Sequence, residues 1–299
     1  MDMLPRQLED GNDAYLPVPG GAVFNTALAL GRLEEPVAYF GGVSTDMFGQ
    51  QLIEHLQVSS VNTSYVIKLD KPSTLAFVKL TNGHAEYSFM DENSAGRSLD
   101  ITMLPEFPDS VLALHFGAIS LIPEPCGSAF EELMQRNHAD RIISLDPNIR
   151  PSFISDESSY RGRLNRMIGM SDIIKVSDED LEWLQPGSRF EEAAVNWLDS
   201  GVSIVILTMG KSGSRAITRT LDIKVPAEVV EVVDTVGAGD TFNAGMLSSL
   251  RSSGILSKQK LSKINAYQLS TALQFATKVA GFVVGKAGAS PPWLNEING

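Results

Sequence analysis

The stretch Val233-Asp234-Thr235-Val236-Gly237-Ala238-Gly239-Asp240-Thr241-Phe242-Asn243-Ala244-Gly245 sets two glycines around an alanine, follows them at once with a carboxylate, and runs on into a helix-forming segment. Gly237, Ala238 and Gly239 leave their amides uncovered, and the first N–H groups of a helix have no partner within it. Together they form a concavity for an anion, reinforced by the helix dipole. Asp240 can then play either of two parts. It can cap the helix start, or it can take a proton from a hydroxyl while the neighbouring amides stabilise charge on a transferring phosphoryl group. The residues alone weigh the two evenly.

Other phosphate-holding or catalytic motifs do not occur. Gly210-Lys211-Ser212 has the form of the end of a Walker A loop, but that motif needs a glycine where Val205 stands. No GxGxxG follows a strand, and no GxSxG supplies a hydrolase nucleophile. His55, His84, His115 and His138 show no metal-ligand spacing, and HExxH is missing.

A site of this kind needs a scaffold. Apolar runs at 36–44, 111–120, 141–148, 171–177 and 202–210 alternate with helical patterns. Runs apolar on both faces, separated by amphipathic helices, predict βα units and an α/β fold with a mostly parallel sheet. They end in Gly41-Gly42, His115 to Gly117, Asp146 to Asn148, Ser177, and Thr208 to Gly210. Open α/β sheets bind ligands outside the carboxyl ends of their strands, so these ends fit one shared site. Residues 3–19 and about 62–98 instead alternate apolar and polar side chains, with Asn82-Gly83 as a hairpin turn. They predict a small antiparallel β-sheet standing beside the body as a lid.

The 299 residues suffice for one large domain with an appendage, or for two domains. Apolar residues make up 43% and charged residues 20%, as in ordinary soluble proteins. No apolar run reaches the roughly 18 residues that would suggest a membrane span, and MDMLPRQLED lacks the features of a signal peptide. Net charge is −12 with no basic cluster, which argues against nucleic acid or anionic lipid as a partner. Cys126 is the only cysteine, so no intrachain disulfide is available and a reducing cytoplasm is expected.

With its neighbours, the glycine turn resembles the ribokinase-like (PfkB) carbohydrate kinases, and their fructokinase branch most closely. VDTVGAGDTFNAG is similar to that family's C-terminal signature, and PGGAVFNTALALGRL (19–33), with GGVSTDMFG after it, to its N-terminal one. DPNIRP, KVSDEDL and TMGKSG lie between them in the family's order, so the resemblance runs nearly end to end. It implies one kinase domain over 1–299, doubly wound, with a mostly parallel sheet flanked by helices and the β lid inserted in it. It further implies transfer of the γ-phosphoryl group of ATP to a primary hydroxyl of a free sugar, fructose being preferred, and a homodimer through the lid.

The resemblance also implies roles. Asp240 matches the base, and Gly237, Ala238 and Gly239 match the anion hole. Asp2, Gly20, Gly21, Asn25, Asp91 and Arg150 fall on the sugar side. Ser177, Thr208, Gly210 and Gly213 fall on the nucleotide side, with Thr277 near the adenine. Mg²⁺ would travel with ATP, held largely through water, with Asp180 as its outer neighbour. A potassium ion, typical of the family, would lie among Asp234, Val236 and Gly288. Duller readings stand beside these: Gly20-Gly21 as a plain turn, Asn25 as a helix-start residue, Arg150 as a partner for a loop carboxylate, Thr277 as a packed residue, Asp2 as a solvated terminus.

Three features depart from the family's pattern. Its members carry a buried strand ahead of the position of Asp2, whereas this sequence begins at Met1. The expectation is a truncated or late-assigned start, an open sheet edge and uncovered apolar side chains. Asp180 stands where glutamate is usual, and SFMDENSAGR (88–97) stands where an aromatic–arginine pair is common. Asp91 and Glu92 disfavour a sugar acid as substrate. Ribose, a nucleoside, ketodeoxygluconate or a phosphorylated sugar are the rival substrates. A non-catalytic sugar- or nucleotide-binding relative is the rival of another class.

Overall fold

The computed structural model describes residues 1–81, 84–286 and 288–298. The chain opens with β1 (Asp2–Gln7), β2 (Asp13–Val18), α1 (Ala22–Arg32), β3 (Gly41–Ser44), α2 (Met47–Val58), β4 (Val66–Leu69), β5 (Leu75–Thr81) and β6 (His84–Met90). The middle comprises β7 (Ala113–Gly117), α3 (Cys126–Asn137), β8 (Ile142–Asp146), α4 (Glu157–Gly169), β9 (Ile173–Ser177), α5 (Asp178–Leu184), α6 (Phe190–Asp199) and β10 (Ile204–Thr208). It closes with β11 (Ser214–Ile217), β12 (Asp222–Val225), α7 (Ala238–Ser252), α8 (Lys258–Leu261), α9 (Ala266–Val284) and α10 (Leu294–Asn298).

The strands that are apolar on both faces lie where two layers of helix cover them. The main sheet runs β12-β11-β10-β9-β8-β7, parallel from β7 to β10 and antiparallel at β11 and β12. Alternation along the strands sends Ile142, Ile173, Ile204 and Ile206 to one face, against α7 and α9. It sends Ile143, Leu145, Ile174, Val176, Val205 and Leu207 to the other, against α3, α4 and α6. Each such side chain contributes about 1.5–3 kcal/mol by leaving water. The expected doubly wound α/β fold is therefore the observed one.

The lid is built differently from the expectation in two respects. Its sheet runs β2-β1-β5-β6, and β1 lies parallel to β5 while the outer pairs are antiparallel, so the sheet is mixed. Residues 66–69, expected in the lid, form β4 and pair in parallel with β3 in the body. The cause is topological: β3, α2 and β4 make a β-α-β crossover, and such a crossover returns the chain parallel to its first strand. The Asn82-Gly83 turn lies outside the described residues.

Among the described residues β7 pairs with β8 alone, and β3 with β4 alone. Both strands line one cavity of about 930 Å³ with the apolar side chains of Val37, Val43, Phe116 and Leu133. The same cavity continues to Asp2, Gly20, Gly21 and Asp91 beneath the lid.

Candidate active site

Helix α7 starts where the chain turns left-handed at Gly237, φ 78°, and no side chain caps it. A Cβ added at Gly237 would lie 2.7 Å from the Ala289 Cβ, so both conformation and space demand glycine. Asp240 sits in the first turn of α7, but its carboxylate does not serve as the cap. Its Oδ2 accepts from Asn25 Nδ2 on α1 at 2.9 Å, and its backbone carbonyl accepts from Thr26 Oγ1 at 3.1 Å. Two helix starts thus hold one carboxylate.

Burial pushes the Asp240 carboxyl up to about 7, and the Asp146 charge adds to the rise. The Asn25 hydrogen bond and the cations Lys175 and Arg150 pull the other way. The dipole of α7 favours a negative charge there by only about 0.3–1 kcal/mol. Desolvation of a fully buried carboxylate costs more than that, and it wins. A carboxyl poised near neutrality is suited to general-base duty.

Under the glycine turn lies a buried ion pair. The register Leu145 to Ile174 between β8 and β9 brings Asp146 beside Lys175, and Lys175 Nζ stands 2.9 Å from Asp146 Oδ2. Asn243, on the inner face of α7, donates to the same oxygen at 2.7 Å. Arg150 follows in the loop after β8 and donates to the Ile149 carbonyl at 2.9 Å, within electrostatic reach of Asp240.

Of the residues expected to meet the sugar, Asp2 and Gly20 meet directly. A Cβ at Gly20 would fall 2.2 Å from Asp2 Oδ2, so the carboxylate rests over the bare glycine. Burial raises the Asp2 carboxyl, opposed by the nearby terminal ammonium. Gly21 has φ 130° and Asn25 follows one turn later. Asp91 is buried, with Oδ1 accepting from Thr74 Oγ1 at 2.6 Å and Ser94 Oγ at 2.8 Å, and with Oδ2 unpartnered. Gly20→Ala must therefore displace the Asp2 carboxylate. The expected result is a rise in sugar KM of about tenfold or more with ATP KM unchanged, equivalent to about 1.4 kcal/mol, read from initial rates.

Of the residues expected to meet the nucleotide, pairing across the sheet sets Ser177 beside Thr208, and Thr208 beside Ser214. Gly210 opens a short turn at φ 48° with empty space around it, and Gly213 closes it at φ 87°. Thr277 is buried on α9 and pairs with Ser214 Oγ at 3.3 Å, which places it in the packing between α9 and β11. Asp180 closes a capping box on α5: its Oδ2 accepts from Ser177 N and Oγ, and its Oδ1 from Ile149 N at 2.7 Å. Asp234 draws its loop together, accepting from Val236 N at 3.0 Å and from Gly288 N at 2.9 Å.

The pfkB family carbohydrate kinase model matches residues 13–296. The chain belongs to the pfkB family of carbohydrate kinases. It is 48% identical to the fructokinase of Rhizobium leguminosarum bv. trifolii over 269 residues, 90% of this chain and 82% of that protein. Its structure is similar to that of the Xylella fastidiosa fructokinase with bound ATP, with a TM-score of 0.90 and 26% identity, covering 99% of this chain and 94% of that one. A double mutant of the Vibrio cholerae O395 fructokinase, bound to fructose, ADP and potassium ion, matches with a TM-score of 0.84 and 26% identity over 96% of this chain and 90% of its own.

Within this kinase fold, the structure brings Asp240, Asn25, Gly237 and Gly239 together, and gathers Asp2, Gly20, Gly21 and Asp91 around one cavity. Thr277 joins the residues expected to meet the nucleotide through Ser214, the neighbour of Thr208 across the sheet. Asp146 was expected only as one of the strand ends around a shared site, and Lys175 and Asn243 were not given a role from sequence. A signal did exist: Lys175 interrupts the apolar run Ile173-Ile174-Val176 on a strand covered from both sides, where an unpaired ammonium is not tolerated.

Proposed function

We propose that this chain is an ATP-dependent fructokinase, carrying the γ-phosphoryl group of ATP to the 6-hydroxyl of fructose. The observation that carries the reading is Asp240, buried and poised near neutrality at the head of α7 beside the Gly237–Gly239 turn. The sugar oxygen attacks phosphorus as the bond to ADP breaks, and the hydroxyl proton passes to Asp240. The first amides of α7 face the charge on the phosphoryl oxygens. Closure of the lid over the cavity excludes water and so suppresses ATP hydrolysis. The relatives' names support fructose, and the buried, unpartnered Asp91 oxygen supports a polyhydroxy ligand without a carboxylate of its own.

Mg²⁺ bound to ATP would neutralise phosphate charge. Asp180 fits an outer role, through water, since both of its oxygens already accept hydrogen bonds. The loop that Asp234 closes onto Val236 and Gly288 offers carboxylate and carbonyl oxygens, a donor set suited to K⁺. Exposed Tyr15, Leu16 and Met90 on the lid support a homodimer through that sheet. The single buried cysteine suits a reducing cytoplasm.

The test is ADP release with ATP and Mg²⁺ against fructose, ribose, glucose, ketodeoxygluconate and no sugar. Release with fructose alone, abolished in Asp240→Asn, is the expected outcome. Absence of release with every sugar, from a folded protein, moves the reading to a binding-only relative.

A further inference from the structure

Lys175 is the least expected residue in the body of the sheet. It shares the face of Ile173 on β9, is 4% exposed, and points under the start of α7. Its Nζ lies 3.0 Å from where a Cβ on Gly239 would stand, so the ammonium packs against the turn itself. Asp146 anchors it at 2.9 Å, and Asn243 holds Asp146 at 2.7 Å. The other oxygen of Asp146 is buried without a partner. A buried ion pair gives no dependable gain in stability over apolar side chains of the same volume, so its stability does not account for it.

Resting on the reading of Asp240 as the base, we propose that Lys175 is a positioning residue for the reaction: a fixed cation, set by Asp146 and Asn243, that supports the glycine turn from below and holds the base carboxylate in its charged form. Among the described residues, three charged groups act on Asp240. They are Asp146 on β8, Lys175 on β9 and Arg150 in the loop after β8, while Asn25 on α1 supplies a neutral donor. Lys175 in turn faces Asp146, Asp180 and Asp240, and it also acts on buried neutral His115 on β7. Removing Lys175 leaves Asp146 and Asp240 as neighbouring carboxylates with Arg150 as the remaining cation. Removing the charge of Asp146 does the reverse, leaving Lys175 to act on Asp240 and Asp180. The two halves of one ion pair therefore have effects of opposite sign.

The experiment measures kcat/KM against pH for the parent, Lys175→Met, Lys175→Arg and Asp146→Asn, with thermal melts to establish folding. An opposite charge within about 4–6 Å of a carboxyl moves it by about one unit or more, and Lys175 Nζ packs against Gly239, the residue before Asp240. Lys175→Met is expected to displace the acid limb upward by about one pH unit, a loss of about tenfold at neutral pH that closes in alkali. Asp146→Asn is expected to displace it downward, and Lys175→Arg to leave it in place. A uniform loss at all pH values, or shifts of the same sign in both variants, overturns the proposal. Should Lys175→Met fail to fold, the downward shift in Asp146→Asn and the unmoved limb in Lys175→Arg decide it. The ¹³Cγ titration of Asp240, assigned by its loss in Asp240→Asn, reads the same displacement without catalysis. It separates the two readings: if turnover has no limb dependent on Asp240, the base assignment fails, while the ¹³Cγ titration still tests the influence of Lys175.

Discussion

Asp240→Asn is expected to lower kcat by roughly two to four orders of magnitude, the usual span for a general base, with little change in sugar affinity. The asparagine keeps the shape of the side chain, and its Oδ1 can still accept from Asn25 Nδ2, so the site stays assembled. In the parent, kcat/KM reports the free enzyme, and the base must be charged to act. With the Asp240 carboxyl raised to about 7, kcat/KM should fall tenfold per unit below that pH and level off above it. The stability effect runs in the opposite direction to activity. A carboxyl whose folded value is raised from 3.8 to about 7 holds its proton more firmly when folded. Ionisation then favours the unfolded chain, so Asp240 costs nothing below the usual carboxylate range, costs progressively more as pH rises through about 7, and its full penalty stands above that. Asp240→Asn should therefore melt at a higher temperature than the parent near pH 8, by a free energy of at most about 4 kcal/mol, with the difference gone near pH 4. Near-normal turnover in the variant would defeat the mechanism, and a lower melting temperature at both pH values would defeat the account of its burial.

The glycine turn was legible in the sequence because its chemistry is local: amides, helix start and carboxylate are consecutive in the chain. The doubly wound sheet was legible for a similar reason, since Ile173-Ile174 and Val205-Ile206-Leu207 need cover on two faces whatever surrounds them. What the sequence left unread depends on register between distant segments. That Asn25 meets Asp240 follows from α1 packing on α7, across 215 residues. That Lys175 meets Asp146 follows from the alignment of β8 with β9. The position of β4 was misjudged because the four residues Val66–Leu69 are too few to tell one sheet from the other by pattern, and only the crossover through α2 decides which one they join. Thr277 is a further case of register: its hydrogen bond to Ser214, the neighbour of Thr208 across the sheet, joins α9 to the end of β10.

Gly237→Ala is the second large effect, and its comparison with Gly239→Ala tests whether the turn geometry itself matters. Gly237 has φ 78°, a conformation that costs a residue with a Cβ roughly 1–2 kcal/mol. The new methyl would also stand 2.7 Å from the Ala289 Cβ and 3.2 Å from its Cα, so the backbone of one segment must move. Either response carries the first amides of α7 away from the phosphoryl position. Loss of one such donor costs about 10²–10³ in kcat, and that is the fall expected. Gly239 lies inside α7, where alanine is the better helix former by roughly 1 kcal/mol, and its methyl would meet only the end of the Lys175 side chain at 3.0 Å. A shift of a few tenths of an ångström relieves that contact, so Gly239→Ala should lose less than about tenfold in kcat, within 1.4 kcal/mol of the barrier. Measuring kcat for both, with nucleotide affinity by calorimetry, gives a ranking that a generic intolerance of side chains near the nucleotide would not produce. Equal losses in the two variants would mean that the left-handed turn at Gly237 does not set the anion site, and the charge would then have to be met by side chains such as Arg150.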